Sequence, residues 1–349
     1  MSYSIYRRTR SARLTVTTPD GFSVTVENLI GDTGPSIEFE AVRGMDEDPG
    51  KFTARVYNLP PEVLGAIEYA QVRRVNDADQ MLRGLLLHTT GVSPEGTDAL
   101  AAGFLIVELE AGYDGIMTRV FRAIGARVTT EREGGDLTDV TTIEAAEDLD
   151  AVLLGVPLRT FPAGSTTFEL VDYLRQIAGL GPGNLSPATL AALIGESRLD
   201  SAYHCAGGQA LSHLRNVLQF LPLRWFVDDR ELWICGRDDV PNPNNVPAYI
   251  PDEIGEPDLF ITRPKRIDGG RVRVECLLCP RLRVGRLVRL TPAGLALAVQ
   301  GLSPDAQQVA FALVPPGLYR LDAIEHRGQT SGGDWTSVLT LRPGVAPNV

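Results

Sequence analysis

The chain has 349 residues, 44% of them hydrophobic and 22% charged, with a formal net charge of −11. That length holds two or three domains with cores of their own, and no apolar run reaches the roughly 20 residues of a membrane helix. The acidic balance argues against a duplex-DNA reader, which needs a basic stripe to displace counterions, and four cysteines are too few for a disulfide framework in so long a chain.

The first residues, MSYSIYRRTRSAR, are basic but have no apolar stretch behind them, so they do not read as a secretory signal. Residues 12–18 and 22–27 read as strands around the turn Pro19-Asp20-Gly21. PSIEFEAVR then alternates, with Ile37, Phe39 and Ala41 on one face and Glu38, Glu40 and Val42 on the other. In KFTARVYNLP, Phe52, Ala54 and Val56 oppose Thr53, Arg55 and Tyr57. The connection between them carries Asp46, Glu47 and Asp48. Consecutive carboxylates point apart, and a calcium loop needs a longer ligand pattern, so this run reads as a solvated tip. Asn58 and Pro60-Pro61 are expected to open a helix with Val63, Leu64 and Ile67 on its apolar face. Residues 70–98 give no clear pattern. FLIVELEAGY (104–113) is a strand with Val107 and Leu109 opposite Glu108 and Glu110.

The character changes at Pro157. Thr166 and Glu169 form a capping box ahead of a helical stripe of Leu170, Val171, Leu174 and Ile177. Ser186-Pro187 starts a second short helix, and Gly208 precedes a third that carries Leu211, Leu214, Leu218 and Leu221 and is stopped by Pro222. RWFVDDRELWICG reads as a hairpin turning at Asp228-Asp229. Asp200, His204, Cys205 and His213 offer a Cys/His nucleophile pair on paper. Adjacent side chains splay, however, and nothing supplies an oriented base, so they read as structural. Residues 238–258 form a Pro/Asn-rich connector with little helix or strand potential. GGRVRVECLL and GRLVRL follow as strands, then an apolar insertion over 293–311. Cys276 and Cys279 make a C-x-x-C pair. With no second pair nearby and a strand rather than a helix around them, they read as ordinary core thiols.

The chain also repeats itself. VFRAIGARVTTEREGGDLTDVTTIE (120–144) aligns without a gap to LYRLDAIEHRGQTSGGDWTSVLTLR (318–342) at one offset, 332 − 134 = 198. Gly134, Gly135 and Asp136 match Gly332, Gly333 and Asp334; Arg122 matches Arg320; Thr138, Val140 and Thr142 match Thr336, Val338 and Thr340. Alternation after each Gly-Gly-Asp marks a β-hairpin turn rather than a phosphate-binding loop, which would open a helix. A repeat of this kind predicts one β-rich domain used at both ends of the chain.

PSIEFEAVR…KFTARVYNLPPEVLGAI resembles the start of baseplate hub proteins of contractile-tailed bacteriophages. VELEAGY, TFPAGSTTFELVDYL, RWFVDDRELWI and the segments from RVRVECLLCPRLRVGRLVRL to GLYRLDAIEHRGQTSGGDW fall in the same family order. The resemblance implies a mainly β (α+β) fold: two tail-tube-like β-barrel domains, 1–156 and 259–349, flanking a small helical-plus-hairpin module, 157–237, with the connector at 238–258. It also implies a homotrimer that forms a pseudo-sixfold ring. Such a ring joins a tail tube or tube-initiator protein above to a central spike below, among neighbouring baseplate proteins. DNA or a tape measure passes through it without stable binding and without stable membrane association. The place implied is the tail baseplate of the virion, after assembly in the host cytoplasm. No catalytic residue, metal or cofactor is assigned. Glu108 and Glu110, with Glu38 and Glu40, are the candidates to face the channel and repel passing phosphates. A structure that pairs them with arginine, or turns them to the outside, would overturn that idea. Two rival readings are a tail-associated cell-wall hydrolase, which needs a spaced carboxylate pair, and a monomeric receptor- or carbohydrate-binding module.

Overall fold

In the computed structural model the alternating stretches form strands, and thirteen of them join one sheet. Described are residues 9–17, 22–28, 34–45, 50–67, 105–133, 138–146, 158–178, 180–205, 207, 210–228, 231–236, 252–254, 261–262, 264–291, 303–315 and 317–343. The first part contributes β1 (Arg10–Thr17), β2 (Ser23–Asn28), β3 (Ile37–Gly44), β4 (Lys51–Tyr57), β5 (Ile106–Tyr113), β6 (Ile116–Glu133) and β7 (Thr138–Ala146). Their alternation sends Leu14, Phe39, Phe52, Val56, Leu109, Phe121 and Ile143 into one core. β6 has 18 residues and serves two layers. Its start pairs with β5 as far as Ile124, and from Ile124 onward, through an irregularity between Ile124 and Arg127, it pairs with β7. A break in register of this kind bends a strand. Phe52 of β4 thus stacks on Phe121 of β6, with ring centroids 5.1 Å apart.

The last part repeats the plan. β12 (Asp252–Ile254), β13 (Lys265–Arg266), β14 (Val272–Leu277), β15 (Leu287–Leu290), β16 (Gly317–Gln329) and β17 (Trp335–Pro343) complete the sheet. Across the sheet the order is β3-β4-β7-β6-β5 in one half and β13-β14-β17-β16-β15 in the other, every pair antiparallel. Taken in chain order, the five strands of each half correspond one to one. The halves are welded where β16 pairs with β3. The second core gathers Val274, Val288, Tyr319, Leu321 and Leu339, and it also takes Met45 from the first half. In return Leu278 and Trp335 enter the first core.

The gap-free alignment of the two hairpins holds for β7 against β17 but not for their partners. Thr138 pairs with Glu133. Its match Thr336 pairs with Arg327 and not with Ser331, a slip of four residues (331 − 327 = 4). An even slip keeps every side chain on its own face, so the alternation could not reveal it. Arg122 and Arg320 are not equivalent either, because each lies beyond an irregularity of its strand, between Ile124 and Arg127 or between Leu321 and Ala323: Arg122 lies on the polar face near Glu108, whereas Arg320 is 2% exposed.

Between the halves lies a separate core of Phe161, Leu170, Leu174, Leu214, Leu218 and Trp225. The expected Thr166–Glu169 capping box opens the helix Thr167–Ile177, and Ser186 caps the helix Pro187–Ile194. The third helix is Ala210–Leu218, so it ends a turn earlier than expected and Leu221 lies beyond it. β8 (Arg159–Phe161) pairs with β9 (Tyr203–Cys205), and β10 (Leu223–Asp228) with β11 (Glu231–Gly236) as the expected hairpin.

Two expectations are corrected. Asn58 takes the left-handed conformation (φ 55) and donates its N–H to the Asp139 carbonyl at 2.8 Å, so it is a turn residue and the helix over 61–67 starts without it. The connector contains β12, a parallel partner of β15. Three residues are too few for periodicity to register. The insertion over 293–311, which reads from sequence without an element of its own, ends in a helix that runs beyond it, Pro304–Leu313. The stretch 70–98 and the acidic run at 46–48 lie outside the described residues.

Gly328 sits opposite Phe39 on β3 and Trp335 on β17. A Cβ there would overlap the Phe39 ring and lie 2.8 Å from Trp335. Gly328→Ala is expected to destabilise the protein by about 1–3 kcal/mol through overpacking, read as a lower urea midpoint at unchanged slope.

Candidate functional site

The strands that bury one face of the sheet present a polar face on the other. All four glutamates singled out above lie there, with side chains 30–51% exposed. Each stands directly across from an arginine in the ladder: Glu38 opposite Arg55, Glu40 opposite Arg327, Glu108 opposite Arg122 and Glu110 opposite Arg13. Arg13 donates to Glu110 at 2.9 Å and also bridges to Glu27 on β2. Glu108 lies 3.6 Å from Arg119 and 4.0 Å from Arg122. Glu38 accepts from the Tyr57 hydroxyl at 2.8 Å and lies 3.9 Å from Arg55. Glu40 lies 3.7 Å from Arg327. The expectation that these carboxylates repel passing phosphates thus fails, because each is paired with arginine. Cross-strand pairs of opposite sign contribute roughly 0.2–1 kcal/mol each, so the pattern is worth more as a charge arrangement than as a source of stability.

One spot departs from simple alternation. Glu325, beside Arg327 on β16, meets Glu40, and the hydrogen bond between the two carboxyls, with burial and the Glu325 charge, raises the pKa of Glu40. Arg327 opposes that rise and bridges to Glu325 as well.

The second hairpin turn does more than close a loop. Gly333 has φ 77, and a Cβ on it would collide with the Gln329 side chain. Thr330 donates its N–H to the Ile37 carbonyl at 3.0 Å, and the Thr330 hydroxyl accepts from the Ile37 N–H at 3.0 Å. Arg10 donates to the Gln329 carbonyl at 3.0 Å. The turn with Gly332, Gly333 and Asp334 is therefore clamped onto the first half. Gly134, Gly135 and Asp136 lie outside the described residues.

Beneath the weld sits a buried polar junction that sequence reading missed. Asp322 accepts from Arg320 at 2.8 Å and from Arg342 at 2.9 Å. Arg43 lies 3.1 Å from Asp228 of the small module. His326 Nδ1 is 2.8 Å from the Ser337 hydroxyl, which accepts from the Cys279 N–H at 2.9 Å. With His326 1% and Ser337 0% exposed, this Ser/His pair cannot meet a substrate. The Cys276 and Cys279 sulfurs are free and 4.0 Å apart. Their mutual hydrogen bond and burial push the Cys276 thiol well up, away from thiolate chemistry. In the module, His204 turns outward to Thr160 while Cys205 is buried, and His213 bonds Tyr203 and the Gly207 carbonyl. The paper nucleophile pair is not assembled.

No family model matches the chain, and no curated protein sequence matches it. Its fold does match solved structures. A 43 kDa tail protein of prophage MuSo2 from Shewanella oneidensis superposes with a TM-score of 0.50 at 9% identity, over 95% of this chain and 98% of that one. The half-lidded PdpA-VgrG complex of Francisella gives 0.51 at 8% identity over 97% of this chain, and the lidded complex 0.51 at 9% identity over 97%. This chain spans 60% and 54% of those two chains. The mainly β architecture is thus one found in a phage tail protein and in VgrG-containing complexes.

Burial, with the nearby Arg43 and Arg283 charges, lowers the pKa of His326 from 6.5 to about 3. The unfolded chain takes up a proton below 6.5 that the folded chain refuses until about 3. Stability is therefore full above that window and falls as pH drops through it. His326→Asn, which keeps a polar partner for Ser337, is expected to flatten this acid limb. Urea midpoints measured across the window check it, and an unchanged slope would refute the assignment.

Proposed function

We propose that this chain is a structural hub of a contractile-tail baseplate. In this reading residues 1–156 and 259–349 are two wall units and 157–237 is a peripheral module. Three chains close into a pseudo-sixfold ring that joins the tail tube, or its initiator, to a central spike. The observation that carries the proposal is the strand order used twice in one chain, on a fold shared with a phage tail protein. Two equivalent units per protomer are what a threefold assembly needs to meet a sixfold tube. The VgrG complexes among the structural neighbours support a spike as the partner below.

The polar face with Glu38, Glu40, Glu108 and Glu110 is then the wall of the channel. Its arginine partners change how that wall works. A carboxylate opposite a guanidinium presents no net charge, so passing DNA is neither held nor driven off. The reading places the protein in the virion tail, with a role in genome ejection that is architectural and not catalytic.

Native mass measurement with negative-stain imaging tests it. The expected result is a trimer seen end-on as a six-lobed ring with a central hole. A strict monomer at the highest soluble concentration, alone and mixed with its spike, overturns the reading.

A further inference from the structure

The exit of β14 is pinned to β17. The Leu278 N–H donates to the Trp335 carbonyl at 3.0 Å, the Cys279 N–H donates to the Ser337 hydroxyl at 2.9 Å, and the Cys276 thiol lies 3.5 Å from the Ser337 carbonyl. The Leu282 N–H then donates to the Cys279 carbonyl at 3.2 Å as the chain turns away. Two sulfurs are thereby set 4.0 Å apart on a stretch of backbone that is held from both sides. We propose that Cys276 and Cys279 are a modification site, a dithiol that closes to an intrachain disulfide when the protein meets a small-molecule disulfide.

Closure brings the sulfurs to about 2.05 Å, a distance that rotation of the two side chains covers while the backbone bonds of Leu278 and Cys279 stay in place. Exposure sets the order of events. Cys276 is 0% exposed inside the second core, whereas Cys279 is half-buried at its margin and is the sulfur that solvent reaches. The Cys279 thiolate attacks one sulfur of the small disulfide, and one small thiolate leaves. Cys276 then loses its proton and attacks the Cys279 sulfur, and the second small thiolate leaves. Two protein thiols are oxidised, one small disulfide is reduced, and the two protons end on the two small thiols. The hydrogen bond between the sulfurs and burial hold the Cys276 thiol well above its usual range, so its thiolate is not stabilised. A strongly oxidising disulfide is one whose reduced form is stabilised. Here that stabilisation is missing, which favours the closed form once it has been made.

The link spans a crossover. Cys276 belongs to the second core, and two residues later Leu278 belongs to the first. Closure therefore fastens the chain at the point where it passes from one core to the other. Reducing cytoplasm keeps such pairs open, and oxidising surroundings let them persist. On the virion-tail reading, on which this step alone rests, the chain assembles open and is fastened after release.

Reduced full-length protein, kept folded, is treated with oxidised glutathione. Its remaining thiols are alkylated, and the protein is digested with trypsin. The peptide from Val274 to Arg281 carries both thiols and no other cysteine. It is expected to be lighter by two hydrogens and to carry no alkyl label. The urea midpoint of the oxidised protein is expected to rise and to return on reduction. Cys276→Ala is expected to stop at a glutathione adduct on Cys279, and Cys279→Ala to leave Cys276 unmodified. A wild-type peptide that keeps both thiols, or that holds only a glutathione adduct, overturns the site whatever the variants do. A link that forms without raising the midpoint overturns the fastening. Neither readout depends on assembly, so failure here leaves the ring reading standing, and failure of the ring leaves the dithiol standing.

Discussion

Backbone hydrogen bonding along both edges of β3 makes one body of two halves. A strand at a sheet edge leaves a row of N–H and C=O groups without partners, and burying such a row is costly. β3 escapes this by pairing with β4 on one side and β16 on the other. The two ladders fix the register of everything that crosses the weld. Phe39 falls opposite Gly328, whose missing side chain leaves room for the ring, and Trp335 meets Phe39 edge-on with centroids 5.6 Å apart. Trp335 also meets Tyr113 of β5 at 6.4 Å, and its carbonyl accepts from Leu278 at 3.0 Å. The exchange of Leu278, Trp335 and Met45 between the cores follows from that single alignment.

The buried ions below the weld are a consequence of the same geometry. Arg43, next to last in β3, points at Asp228, the last residue of β10, with its guanidinium 4.9 Å from the Phe121 ring. Asp322 lies at the irregularity of β16, holds Arg320 and Arg342, and gives its carbonyl to the Met45 N–H at 2.7 Å. Desolvating such charges offsets most of their attraction, so they add little net stability. Removing one partner would strand the other. What the arrangement provides is a fixed angle: β3, the β10–β11 hairpin and the hairpin of the second half can come together in one way only. Phe226 reinforces this from the module side, because its ring fills the space a side chain would need at Gly285.

Much of this was legible in the sequence, and what was not has identifiable physical causes. Alternation marked Ile37, Phe39 and Ala41 as buried and Glu38 and Glu40 as outward because side-chain direction along a strand is local. Thr166 and Glu169 announced their helix for the same reason. The duplication was visible in β7 and β17, where turn residues and alternation coincide. Its register was not, because a slip of four residues leaves the hydrophobic pattern intact. The arginine partners of the four glutamates escaped notice since each depends on which strands become neighbours. Glu40 and Arg327 sit in different halves of the chain, and only the weld brings them together. β12, parallel and three residues long, has no sequence signal at all.

The pairing on the polar face also relocates the acidic character of the chain. A net charge of −11 invites the picture of a negative wall. On this face the singled-out carboxylates are matched by guanidinium groups directly across the ladder. Strands lie about 4.8 Å apart, so opposite charges alternate over a distance shorter than the ~8 Å screening length of physiological salt. The field of such a pattern dies within a few ångströms of the surface. A wall of unpaired glutamates would resist a polyanion along its whole path, and a wall of unpaired arginines would trap it. Alternation does neither, and it lets neighbouring strands hold each other's side chains upright. If this face lines the proposed channel, that is the more favourable design for letting a charged polymer slide past, and it emerges from the strand register alone.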